Sequence, residues 1–235
     1  MRIRLLFSLL AGILTVWSLR AQESQPEALF GSVEQSVYYS ASGLFSVPVP
    51  VIPELGGRIS DTANVVTFSD QFTMHVSIAA YPLEASHLRE LETRGKKDYL
   101  MRFFTDLILP EFRQNRPGTR VESARFIASV QGGSVLLYSL IPGGSMFPHR
   151  LVNFFADAPA PVAKRGNLLF IHGDTLYILS SELAERAIEG SCYTLTTPEE
   201  DELLRTRLLK IAQSMQFAPP APAPATPAVS QPATP

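Results

Sequence analysis

The sequence predicts an α+β domain in which a central antiparallel sheet is flanked by two amphipathic helices. Three observations carry that expectation. Apolar residues alternate with polar ones in runs of strand length, as in Phe72, Met74, Val76, Ile78 and Ala80 against Thr73, His75, Ser77 and Ala79. The later runs are joined by short Gly/Pro-rich connections that suit antiparallel neighbours and cannot house crossover helices. Two segments, one after Pro82 and one after Thr197, instead place their apolar residues at helical spacing.

The chain has 235 residues, 46% of them hydrophobic and 18% charged, enough apolar surface to exclude global disorder. Its N-terminus reads as an export signal: Arg2 and Arg4, an apolar run from Leu5 to Leu19, then a polar exit with cleavage expected after Ala21. The run is shorter than the roughly 20 residues of a permanent spanning helix. Leu19 is large for the minus-three position, so an uncleaved N-terminal anchor is the alternative. Residues 22–36 read as a polar leader, 37–217 as the folded domain and 218–235 as a tail. That tail has seven prolines in 18 residues and is expected to be an extended, solvated spacer or disordered.

The domain opens at Val37 with two short β-prone runs that end at Pro48 and Pro50, because proline cannot donate to a ladder. A loop with Pro53, Gly56 and Gly57 follows, then NVVTFSD and the alternating run described above, in which His75 falls on the polar side. The long helix is expected from a Ser86 N-cap until Pro110 disfavours helix at Leu109. Its apolar face combines Leu88, Leu91, Tyr99, Phe103 and Leu107 with Leu100, Phe104 and Ile108, and Gly95 marks a kink or break. Strands are then expected at RVESARFIASV, SVLLYSLIP and RLVNFFADA, forming a meander, with a polar/proline loop over residues 157–167. The clearest hairpin turns at Gly173 and Asp174 and pairs Ile171 with Leu176 and Leu169 with Ile178. Thr197, Pro198 and Glu200 fit a capping box for the last helix, whose stripe is Leu204, Leu208, Ile211 and Met215.

No motif specifies a reaction. Ser134 and Ser145 follow glycine pairs but neither matches GxSxG, and His172 and Asp174 are explained by the turn they flank. His75, His87, His149 and His172 are widely separated, without HExxH or CxxC, so no metal site or cofactor is expected. Glu199, Glu200 and Asp201 suit a helix N-terminus. Cys192 is the sole cysteine, which excludes an internal disulfide and reads as a small loop residue.

The formal charge is −2; loss of Arg2, Arg4 and Arg20 leaves 17 basic against 22 acidic residues, a net −5. Without a basic tract, nucleic acid is excluded as an expected partner. Membrane contact is expected only through an uncleaved N-terminus. Lys96/Lys97 and Lys164/Arg165 read as solvated pairs.

The order YYSASGLFSVPVP, NVVTFSD with HVSIAAYP, a long helix, antiparallel strands and a terminal LLKIAQSMQF helix resembles the PsbP-like superfamily, including bacterial DcrB-like exported proteins, over Val37 to Phe217. That resemblance implies an α/β/α sandwich with a central antiparallel sheet, used mostly as a noncatalytic binding or assembly scaffold. It transfers no site residue. The expected function is therefore an exported, noncatalytic, periplasmic or secreted module with an envelope protein as partner. Its expected docking surface is the loop at Lys164 and Arg165. An extracytoplasmic hydrolase and a tethered envelope structural protein are the alternatives.

Overall fold

The computed structural model describes residues 28–147, 162–189 and 192–218. Among these residues, short strands β1 (Ser32–Glu34), β2 (Val37–Tyr39) and β3 (Phe45–Pro48) precede a larger set: β4 (Arg58–Asp61), β5 (Val65–Ser69) and β6 (His75–Pro82). Helices α1 (Ala85–Arg94), α2 (Lys96–Phe103) and α3 (Leu109–Asn115) follow, with a π-turn at Phe104–Ile108 between the last two. Then come β7 (Arg120–Ile127), β8 (Ser134–Pro142), β9 (Val162–His172) and β10 (Thr175–Glu182), followed by α4 (Ala184–Glu189), α5 (Thr197–Ser214) and β11 (Gln216–Phe217).

The described strands form a seven-stranded antiparallel sheet in the order β4-β5-β6-β10-β9-β8-β7 and a small sheet in the order β1-β2-β3-β11. The mixed α+β class and the antiparallel sheet agree with the expectation. On one face of the large sheet, α5 and the small sheet enclose a core that includes Tyr38, Phe68, Ile78, Phe170 and Leu204. On the other, α2, the π-turn and α3 lay Tyr99, Leu100, Phe104 and Leu109 on Val135, Leu137, Leu169 and Ile171. Strands β8 and β9 are covered on both faces, which is why SVLLYSLIP is almost continuously apolar. Gly166 lets α5 come close to β9, since a Cβ there would lie 2.9 Å from Leu208 Cδ1.

Several expected boundaries move. Gly95, with φ +80°, breaks the long helix as its position suggested, but the cap is Glu84 rather than Ser86, and the helical path continues past Leu109 to Asn115. Pro110 does not end it. Immediately upstream the Leu109 N–H bonds back to the Phe104 carbonyl, and this widened turn accommodates the proline ring and its missing donor. It also turns Leu107 outward instead of onto the apolar face. The supposed leader supplies β1, joined to β2 through positive-φ residues Gln35 and Ser36. Residues 162–167, read as loop, are strand paired residue by residue with β8, from Val162 on Pro142 to Asn167 on Leu137. The capping box of α5 sits one residue earlier, on Thr196 and Glu199, whose carboxylate accepts from the Thr196 N–H at 2.8 Å and hydroxyl at 2.7 Å. The export signal, RLVNFFADA and the proline-rich tail beyond Ala218 lie outside the described residues.

Candidate functional site

Lys164 and Arg165 are consecutive in β9, so their side chains leave opposite faces of the sheet. Neither sits on an exposed loop, which corrects the expected placement. Lys164 is 0% exposed on the α5 side, where it meets Glu122 at 2.6 Å, Glu200 at 3.0 Å and Asp201 at 2.5 Å. Glu200 also accepts from Arg186 at 2.6 Å and from the Tyr193 hydroxyl at 2.5 Å. Tyr138 completes the cluster: Lys164 Nζ lies 5.4 Å from its ring centroid, and its hydroxyl donates to the Asp201 carbonyl. Burial works against the lysine charge, but the hydrogen bonds to Asp201, Glu122 and Glu200 outweigh it and leave the ammonium harder to deprotonate than usual. Burial likewise opposes the Glu200 charge, yet Tyr193, Lys164 and Arg186 hold its pKa down. This is a charge network filled from within the fold, and it leaves Lys164 no free face for docking.

Arg165 points to the helical side, at the margin of the ground covered by α3. The strand register sets a polar row across that face: Ser69 pairs with His75, Glu182 with Arg165, and Arg165 with Ser139, while Glu182 falls beside His75. An adjoining row contains Thr67, Ser77, Ser180 and Asn167, with Ser180 Oγ donating to Asn167 Oδ1 at 2.8 Å. The segment Gly144–Phe147 packs onto this ground. Arg165 donates to the Gly144 carbonyl at 3.2 Å, the Met146 N–H donates to Glu182 at 2.6 Å, and Phe147 meets His75 edge-on at 6.1 Å. The Arg165 guanidinium also lies 5.5 Å from the Phe112 ring centroid.

This side is less fully paired. Among the described residues, buried His75 Nδ1, Arg165 Nε and Glu182 Oε1 have no hydrogen-bond partner; on the opposite face the same holds for Asp201 Oδ1, although it lies 2.5 Å from the Lys164 ammonium as an ion pair. Burial, reinforced by the Arg165 charge, pushes the His75 imidazole down to about 4, so it is neutral at physiological pH. Burial also lowers the Arg165 pKa against the attraction of Glu182. It raises that of Glu182 against hydrogen bonds from Ser145 and Met146. His75 is thus not the wet surface residue its polar-side position suggested.

His75 opens onto a cleft of about 440 Å³ lined also by Gly56, Arg58, Ser69, Asp70, Gln71 and Met146. Its floor is rigid for local reasons. Asp70 Oδ1 accepts the N–H groups of Phe72, Thr73 and Met74 at 2.7, 2.8 and 3.0 Å, closing the turn between β5 and β6. Gly56 caps the 3₁₀ turn Pro53–Leu55 at φ +71°, and a Cβ on it would stand 2.7 Å from the Gln71 side chain.

The other candidates do not assemble a reactive centre among the described residues. Ser134 Oγ donates to the Ile127 carbonyl at 3.3 Å. Ser145 accepts from the Phe147 N–H and bonds Glu182 rather than a histidine. His172 is 3.3 Å from the Gln131 amide oxygen and stacks on Phe217, while Asp174 stays in the turn after Gly173. His87 Nδ1 pairs with the Tyr99 hydroxyl. Cys192 is exposed and free, and His149 lies outside the described residues. No group of three or more described His, Cys, Asp or Glu residues is placed to hold a metal ion. Sequence reading missed Arg58 and Glu182; the available signal was the Ser, Thr, Asn and His content on one face of otherwise apolar strands.

No family model and no curated protein matches the chain. Among solved structures it is similar to cyanobacterial PsbP from Synechocystis sp. PCC 6803, at 13% identity over 83% of this chain and 100% of that one, with a TM-score of 0.46. It is also similar to the Saccharomyces cerevisiae Ran-binding protein Mog1p, at 13% identity over 79% and 96%, with a TM-score of 0.42. A Bacteroides thetaiotaomicron protein matches at 10% identity and a TM-score of 0.42, over 80% of this chain and 50% of that protein's length.

Proposed function

We propose that this chain is an exported, noncatalytic binding module of the cell envelope, and that it docks a protein partner at the cleft beside His75. The observation that carries the reading is the contrast across β9. Lys164 is enclosed by three carboxylates, with only Asp201 Oδ1 held by an ion pair alone, whereas the Arg165 face holds three buried polar atoms without partners among the described residues, next to an open cleft. Export is supported by the N-terminal pattern alone, and the tail then acts as a spacer. No described helix is long and apolar enough to cross a membrane.

Residues 162–166 belong to a central strand, so removing them would test folding rather than docking. The informative comparison is partner recovery from the native envelope by the full chain and by Arg58→Glu. Loss of a wild-type partner supports the site, and unchanged recovery rejects it. N-terminal sequencing of the exported protein should begin at Gln22; retention of Met1 would establish the anchored form instead.

A further inference from the structure

Independently of the cleft, we infer that residues 28–34 form a strap that Asp61 clasps to the end of β4, and that this strap opens on its own while the rest of the domain stays folded. Asp61 closes the clasp with both carboxylate oxygens. Its Oδ1 accepts the Phe30 N–H at 2.9 Å, and its Oδ2 accepts the Gly31 N–H and the Tyr38 hydroxyl, each at 2.7 Å. The fit depends on glycine: a Cβ on Gly31 would stand 2.3 Å from the Tyr39 carbonyl oxygen and 2.8 Å from the Tyr38 hydroxyl.

Apart from the clasp, the strap is lightly held. Ser32, Val33 and Glu34 are all exposed, so β1 buries no side chain, and its three residues pair with β2 at the edge of the small sheet. In the turn that follows, Gln35 and Ser36 have φ of +48° and +62°, the left-handed region that is costly for a residue with a Cβ, and opening relieves it. The seat of the clasp survives opening. Tyr38 is 1% exposed in the core, β2 keeps its pairs with β3, and the Val49 N–H donates to the Ser36 carbonyl at 2.8 Å. The hinge is therefore Gln35. Opening frees residues 28–35, lengthens the N-terminal connection by up to about 27 Å and uncovers the backbone edge of β2. The strap is thus a reversible extension built into the start of the fold.

The test is native-state amide hydrogen exchange on the full chain, read by mass spectrometry on peptides covering residues 28–36, β8 and β9. In the wild type the strap is expected to be protected at least about a hundredfold less than β8 and β9. Asp61→Asn should speed its exchange about tenfold further and leave β8 and β9 unchanged. Gly31→Ala should do the same from outside β4, and one folded variant suffices. Exchange of residues 28–36 in step with β8 and β9 in the wild type would overturn the inference, because opening would then be global. Equal acceleration of all three regions would overturn it as well, as would the failure of both variants to fold. If the strap of a folded variant exchanges no faster than that of the wild type, Asp61 is not its clasp and the inference falls.

Discussion

Lys164 and Arg165 share a strand, a charge and a peptide bond, yet they meet opposite conditions. On the α5 side the fold brings Glu122, Glu200 and Asp201 to one ammonium, with Arg186 and Tyr193 holding the remaining Glu200 oxygen. On the other side Arg165 meets one carboxylate, a carbonyl and a ring, and its Nε has no partner among the described residues. A buried charge that is fully matched stabilises and specifies packing, whereas an incompletely matched one beside a cleft retains capacity for something outside the fold.

The largest expected effect tests the matched side. Lys164→Met should cost about 3–5 kcal/mol, because three carboxylates lose their shared cation. Arg165→Met should cost only about 1–2 kcal/mol. Urea denaturation of both variants decides the matter, and equal losses would break the contrast.

Acid should act next, through the cleft side. The His75 pKa is lowered from 6.5 to about 4, so the unfolded chain binds its proton first. Its contribution to stability is therefore complete above pH 6.5 and is lost as pH falls toward 4. The loss should be on the order of 2 kcal/mol. His75→Asn should flatten the stability curve in that window, and identical curves would remove His75 as the titrating group.

Smaller changes sharpen the boundary between the two sides. Gly56→Ala should cost about 1–2 kcal/mol, from the positive φ and the approach of Gln71, and should reduce partner recovery through the cleft. Thr196→Ala should cost about 1 kcal/mol through the lost cap. It should leave partner recovery unchanged, which the same recovery experiment checks.

Much of the scaffold was legible. The Gly173–Asp174 hairpin pairs as its turn residues require, and the stripe Leu204, Leu208, Ile211 and Met215 is buried. Gly95 does break the helix. The candidate site was less so. Both Thr196–Glu199 and Thr197–Glu200 fit a cap by spacing, and the choice is consequential: with Glu199 used at the cap, Glu200 turns inward to Lys164. Likewise His75 looked solvated, because nothing in the alternation of β6 reveals that Phe147 and Arg165 close over it.

Periodicity and turn chemistry alone determined most strands and helices but not the start of β9, which read as loop; once that stretch is strand, Lys164 and Arg165 must diverge, since side chains alternate along any strand. Only the tertiary structure decided which of the two would be enclosed. The acids that enclose Lys164 come from β7 and α5, far away in the chain. Their meeting depends on how sheet and helix pack, which no local pattern encodes.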